Sequence, residues 1–440
     1  MGLEILAIIM VVALFALILA GIPVPFALAV SGIVFGLFGF GTDLFNLIPL
    51  RIYGVATNYT MLAIPLFIFM GVMLEKSRLA ERMLDVIGHL SGKRSGGMAI
   101  AIVLVGVLMG ASTGIVAATV VTVGLISLPT LLRRNYDKRL ACGTICAAGT
   151  LGQIIPPSLV LIILSDISGT SIGSLFAGAL IPGLMLSGLF LIYIWIMARL
   201  KPQSMPPIPQ EERDAMPTSQ MLLDLLKVVL PPIALVFAVL GSIIGGIAAP
   251  TEAASMGALG ALLLVVLTGR YSFNVLRETV ISTFKITGMT LFVMMMAQIF
   301  SLSFRGLGGD DLIDSLFAFL PGGVWGALIF MMVLLFFLGF FLDWIEISYI
   351  VLPLMLPFFQ HAGVDIVWLS ILVAMNLQMS FLTPPFGWSL FYLKGVAPKE
   401  IVTKDIYLGV MPFIGIQAFA LTLVIVFPGI ATWLPGVIGW

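Results

Sequence analysis

Gly152-Gln-Ile-Ile-Pro156-Pro157-Ser158 and Ser380-Phe-Leu-Thr-Pro384-Pro385-Phe386 each lie inside a long apolar stretch, the second displaced from the first by 228 residues. A proline pair removes two backbone N–H donors and clashes with the preceding turn, so each segment predicts a helix broken near its middle. The same offset sets Leu128-Pro129 on Leu356-Pro357 and Asp137 on Asp365 without a gap. One half of the chain reads as a diverged copy of the other.

Composition fixes the solvent in which these breaks sit. With 60% hydrophobic and 10% charged residues over 440 positions, the chain has too little polar surface for a soluble domain. Apolar runs near the ~20 residues needed to cross a bilayer recur throughout. The expected class is an all-α polytopic membrane protein with membrane lipid around it. The first run, Ile5 to Ala20, lacks a basic flank and a small-residue cleavage site, and reads as a retained span. A formal net charge of zero gives no reason to expect a nucleic-acid partner.

The placement of charge supplies a topology. Lys76, Arg78, Arg82, Lys93 and Arg94 form one basic cluster, and Arg133, Arg134, Lys138 and Arg139 a second. Positive-inside bias sets both in the cytoplasm. The chain between them, about 95–132, is short for two full spans and predicts a re-entrant hairpin. The matching flanks of the second copy, 321–322 and 361–367, carry no Lys or Arg. Its hairpin, about 323–360, is therefore expected to open on the other side, as an inverted repeat does. Alternating sides leaves Arg51 and Arg305 outside and both termini in the periplasm. The halves are 1–200, with a broken helix at about 140–168, and 228–440, with one at about 365–395. A Pro-, Gln- and Glu-rich cytoplasmic linker, 201–227, joins them. Leu74 to Leu90 patterns as a helix lying along the interface, with Leu79, Met83, Val86, Ile87 and Leu90 on its apolar side.

Proline-broken helices at matching places in two repeats point to the central site of a secondary transporter. At the first hairpin's expected turn, Gly106-Val-Leu-Met-Gly110-Ala-Ser112-Thr113-Gly114 combines GxxxG spacings with two hydroxyls, which suits close packing or a ligand site. The first break holds Gly149, Thr150, Gly152 and Gln153 before Pro156-Pro157-Ser158, and the second holds Asn376, Gln378, Ser380 and Thr383 before Pro384-Pro385. The second hairpin carries Asp343-Trp344-Ile-Glu346 at its turn, and carboxylates at membrane depth serve as ion ligands, proton carriers or helix caps. Freed carbonyls and hydroxyls suit a desolvated monovalent cation, so sodium is preferred to a proton. Cys142 and Cys146 have no further soft ligand near them, and no transition-metal site is expected. His89 and His361 sit in predicted loops. With no HExxH helix and no GxxxxGK[ST] loop, neither a hydrolase nor direct use of ATP is indicated.

The ordered set Gly110-Ala-Ser-Thr-Gly114, Gly149-Thr-Leu-Gly-Gln-Ile-Ile-Pro-Pro-Ser158, Leu342-Asp343, Leu352-Pro-Leu-Met-Leu-Pro357 and Asn376-Leu-Gln-Met-Ser-Phe-Leu-Thr-Pro-Pro-Phe-Gly387 resembles the large membrane subunit of tripartite ATP-independent periplasmic (TRAP) transporters, over essentially the whole chain. The resemblance implies a non-enzymatic, sodium-driven elevator in the bacterial inner membrane, with no cofactor beyond the coupling Na+. A periplasmic binding protein would deliver an organic-acid anion, and a small four-helix membrane subunit would brace the scaffold. It implies one cation site at Ser112, Thr113 and Gly114 with Gly149, Thr150, Gly152 and Pro156. A second would combine Asp343 with Asn376, Gln378, Ser380 and Thr383. Substrate would lie between them, near Gln153, Ser158, Trp344, Glu346 and Pro385. Many relatives carry Asp, Pro and small residues where this chain has Asp343-Trp-Ile-Glu346, so a keto acid or hydroxy acid is as compatible as a dicarboxylate. A stand-alone sodium/dicarboxylate symporter would share the fold without needing a binding protein.

Overall fold

The computed structural model describes residues 2–91, 94–210 and 223–439, apart from the side chains of Ser112 and Thr113. Lys93, Arg213 and the linker stretch 211–222 lie outside the described residues. The described chain is helical with no strand, and eight helices are long and apolar enough to cross a membrane. This is the all-α, polytopic, inverted-repeat class read from the sequence.

The helices keep the register of the proline pairs. Val116–Arg133 and Trp344–His361 begin and end 228 residues apart. The first hairpin is Gly97–Thr113 followed by Val116–Arg133, and the second is Val324–Leu338 followed by Trp344–His361. The first broken helix is Lys138–Thr150 and Leu159–Ser168, and the second is Ile366–Leu382 and Trp388–Val396. The matched pair Asp137 and Asp365 turn out to be N-caps. Asp137 accepts from the amides of Arg139 and Leu140, both at 3.0 Å, and Asp365 from that of Trp368 at 2.9 Å. Such caps satisfy N–H groups that the first helical turn leaves unpaired.

Several local expectations need correction. Gly308-Gly-Asp310-Asp311, which reads as a turn by its glycines and aspartates, opens a helix, Gly309–Phe319, whose first turn holds both acids. Carboxylates are stabilised there by the helix dipole. This helix bends by 111° into Val324–Leu338 and is the counterpart of the interfacial helix Leu79–Ser91. In the latter, Leu79, Met83, Val86 and Ile87 are buried as expected, but Leu74 belongs to the preceding helix and Leu90 is 40% exposed. His89 and His361 lie in final helical turns rather than loops. Helix also resumes at Leu223, before the expected end of the linker at 227. The start of the linker is tied down, since Ser204 and Met205 carbonyls accept from the amides of Asp137 and Gly96.

Lipid tails are as apolar as leucine, so helices in a bilayer associate through close backbone approach and hydrogen bonds. Val24–Phe40 meets Phe273–Gly306 through Gly32 and Gly36. A Cβ on Gly32 would lie 3.0 Å from the Phe300 nitrogen, and the Ser303 hydroxyl donates to the Gly32 carbonyl at 2.6 Å. Lys138–Thr150 crosses Thr403–Val426 at Gly143 and Gly409, where a Cβ on either would run into backbone of the other helix. Large side chains such as Leu19, Leu267 and Phe284 are exposed on the outer faces, where lipid covers them.

Candidate transport site

The first break is wholly buried. Pro156 and Pro157 supply no N–H to the carbonyls of Gly152 and Gln153, four residues back. The Ser158 hydroxyl donates to the Gln153 carbonyl at 2.7 Å, and that of Thr150 to Ala147 at 2.9 Å. The Gln153 side chain has zero exposure, yet neither its Oε1 nor its Nε2 has a hydrogen-bond partner. The first hairpin closes against this break. A Cβ on Gly110 would lie 2.5 Å from the Gly152 Cα, and one on Gly114 2.8 Å from the Leu159 nitrogen. Gly114 also turns the chain with φ +60°, a conformation that residues with a Cβ resist. The turn at Gly114 is thus set against Leu159, next to Ser158, Gly110 against Gly152, and Gly149 against Val120 of the hairpin's second helix. The side chains of Ser112 and Thr113 lie outside the described residues.

The second break repeats the arrangement with different residues. Pro384 and Pro385 deprive Ser380 and Phe381 of the usual donors. The Phe381 carbonyl, repeat-equivalent of Gln153, accepts from the Ser389 hydroxyl at 2.8 Å, and the Ser380 carbonyl accepts from the Thr383 amide at 3.1 Å. Both Pro-Pro bonds are cis. Asn376 is buried and donates to the Met332 carbonyl at 2.7 Å, joining the broken helix to the second hairpin. Ser380 packs against Gly339 of the same hairpin, and the rings of Phe341 and Phe386 lie 5.5 Å apart. Gln378 again has zero exposure with both amide atoms unpartnered. Unlike the first break, this one reaches the surface: Thr383 is half-buried and Pro385 exposed.

Asp343 and Glu346 form a capping box. Asp343 accepts from the Trp344 amide at 2.7 Å, and Glu346 accepts from the Asp343 amide at 3.1 Å. Of the three roles left open by the sequence, capping is the one with visible geometry. Trp344 is buried beside them, and among the described residues no hydrogen bond joins Trp344 or Glu346 to Pro385 or Gln153.

Polar bridges absent from the sequence reading cross to other helices. The Asn58 amide donates to Asp166 Oδ1 at 2.8 Å, and Asp166 lies in the second half of the first broken helix. Arg305 donates to the Pro353 carbonyl at 3.2 Å, which Pro357 leaves without a helical donor, and pairs with Asp310 at 3.8 Å. Arg51, Arg305 and Asp166 line one cavity. The lone acid in the apolar run Leu159–Ser168 was the available sequence signal for this cluster. At the other end gather charges assigned inside: Lys76 pairs with Glu278, Arg139 with Asp405, and Lys138 donates to the Glu400 carbonyl.

Hard oxygens and the unpartnered amides of Gln153 and Gln378 at the two breaks suit a small cation and its counter-anion; the Gln417 amide, buried on Thr403–Val426, is likewise without a partner. Among the described residues no group of three or more His, Cys, Asp or Glu is placed to hold a metal ion.

Comparison with known proteins agrees with this architecture. The family model described as "Tripartite ATP-independent periplasmic transporter, DctM component" matches residues 11–430. The C4-dicarboxylate TRAP transporter large permease protein DctM of Vibrio cholerae is 28% identical, with 95% of each chain covered. The ectoine TRAP transporter large permease protein TeaC of Halomonas elongata is 29% identical, covering 97% of this chain and 98% of its own. Among solved structures, the YdaH transporter of Alcanivorax borkumensis superposes with a TM-score of 0.61 at 13% identity, over 91% of this chain and 90% of its own, a likeness of fold.

Proposed function

The chain belongs to the DctM component family of tripartite ATP-independent periplasmic transporters, and on that premise we propose that it performs sodium-driven uptake of an organic-acid anion across the inner membrane. It works with a small four-helix membrane subunit and a periplasmic substrate-binding protein. The observation carrying this reading is the pair of wholly buried, unpartnered amides, Gln153 and Gln378, one at each break. Burying an unpaired polar group costs about 1–3 kcal/mol. Two such groups at the discontinuities are accounted for if cargo completes them.

In this reading the first sodium is held by the first hairpin turn, Ser112 to Gly114, with oxygens of Gly149, Thr150, Gly152 and the Pro156 segment. The second is held by Asn376, Gln378, Ser380 and Thr383, with Asp343 nearby. The sodium ions are cargo, and their positive charge offsets that of the anion crossing with them. Gln153 and Ser158 on one side, and Trp344, Glu346 and Pro385 on the other, shape the anion's site. Half-helix N-termini at Leu159 and Trp388 supply partial positive charge for a carboxylate. The two hairpins and two broken helices move as one body against the remaining helices. The capped, bulky Asp343-Trp-Ile-Glu346 turn stays rigid through that movement and narrows the anion's site.

The substrate is proposed only as a class, because relatives of nearly equal identity bear different substrate names, a C4-dicarboxylate at 28% and ectoine at 29%. The test is reconstitution of the full chain in liposomes with a sodium gradient and a panel of keto acids, hydroxy acids and dicarboxylates. Uptake is expected only when the small membrane subunit and the loaded binding protein are both added, and only with sodium outside. Robust uptake by the chain alone would instead establish a stand-alone symporter.

A further inference from the structure

A groove lined by no residue of either break runs between Leu230–Ile244 and Pro250–Leu267, with a volume of about 830 Å³. Its walls are two helical faces. Ala234, Leu235 and Ala238 line one, and Gly260, Leu263 and Leu267 the other, each at the three- and four-residue spacing of a single helix side. From Gly260 to Leu267 the wall is about 10 Å long at 1.5 Å per residue. Gly260 sets its width: a Cβ there would strike Leu235.

One end of this apolar slot is cationic. Lys227 just precedes the first wall, Arg270 follows the second, and Arg82 reaches over from the interfacial helix, against a single acid, Asp224. Arg270 is held in place by donating from Nη1 to the carbonyls of Ser77 and Arg78, both at 3.0 Å. Its remaining N–H groups have no such partners, and Arg82 and Lys227 have neither hydrogen bond nor ion pair among the described residues. All three cations gather at one end of the slot, beside the start of Leu230–Ile244 and the end of Pro250–Leu267. Basic pockets between transmembrane helices bind anionic head groups.

We propose that this groove is a binding site for one anionic phospholipid, with its phosphate among Arg82, Lys227 and Arg270 and an acyl chain in the slot. A transmembrane helix of a partner would fill the slot but bring no anion to three cations that share only Asp224 in its lining.

The test uses the full chain, with native mass spectrometry and thermal unfolding in detergent supplemented with phosphatidylglycerol, phosphatidylcholine or glycerol 3-phosphate. Wild type is expected to retain phosphatidylglycerol and to be stabilised by it more than by phosphatidylcholine, with no effect of glycerol 3-phosphate. Arg82→Gln combined with Lys227→Gln, both exposed positions, should weaken phosphatidylglycerol retention by about tenfold or more while leaving phosphatidylcholine unchanged. Ala238→Phe fills the slot from an exposed position and should reduce retention of both lipids. Equal retention of the two lipids by wild type, stabilisation by glycerol 3-phosphate alone, or undiminished lipid retention in Ala238→Phe would each overturn the proposal.

Discussion

Replacing Gln378 by Leu gives opposite outcomes for a packing residue and for a sodium ligand, whereas the same change at Gln153, assigned to the anion's site, should leave the sodium response unchanged. Each side chain is fully buried with both amide atoms unpartnered. At about 1–3 kcal/mol per unsatisfied group, removing the amide should stabilise the sodium-free protein by about 2 kcal/mol, less any misfit of the branched side chain. Sodium at one hundred times its dissociation constant stabilises a protein that binds it only when folded by about 2.7 kcal/mol. Gln378→Leu should lose most of that increment. In choline buffer it is then more stable than wild type, and in saturating sodium the order reverses. Denaturant unfolding in the two buffers, read from tryptophan fluorescence, measures both numbers. Gln378→Leu destabilised equally in both buffers, with the sodium increment intact, would refute the reasoning and make that amide structural.

Topology is checked by single cysteines in a background lacking Cys142 and Cys146. Lys138→Cys should label from the cytoplasm and Ala362→Cys from the periplasm, both being exposed positions next to turns that adopt positive φ at Asn135 and Gly363; labelling from one side would sink the inverted arrangement. A double-mutant cycle of Asn58→Ala and Asp166→Ala should show coupling of about 1.5–3 kcal/mol, as a hydrogen bond to a carboxylate does; strict additivity would mean the bridge contributes nothing. Gly409→Ala, which drives a Cβ into the Arg139 carbonyl, should destabilise by about 1–3 kcal/mol, whereas Gly188→Ala, with open space around it, should be neutral or mildly stabilising in the same unfolding assay.

The repeat was legible because its marks are local and covalent. A proline cannot donate wherever the chain goes, so Pro156-Pro157 and Pro384-Pro385 announced the helix breaks, while Asp137 and Asp365 matched by spacing and their capping emerged only in the structure. The bridges from Asn58 to Asp166 and from Arg305 to Pro353 were not legible. Their partners stand 108 and 48 residues apart, and only tertiary folding decides which of many distant groups meet. The Asp343 to Glu346 turn falls between these cases: spacing allowed a capping box, but cap and ion ligand ask for the same residues. Gln153 and Gln378 were noticed as polar residues at breaks. That both amides would remain unpaired depends on what surrounds them and cannot be read along the chain.

The serine hydroxyls at the two breaks bear on how the halves diverged. Ser158, one residue past the first proline pair, and Ser389, four past the second, do the same work on equivalent carbonyls, those of Gln153 and Phe381. At the positions themselves nothing matches, since Ser158 corresponds to Phe386 and Ser389 to Leu161. The two breaks keep an equivalent lone pair occupied with donors at different points along the backbone. An ancestral duplication judged by matching letters would look more eroded here than it is, and tracing which acceptor is quenched, by whichever neighbour, recovers kinship that substitution has hidden.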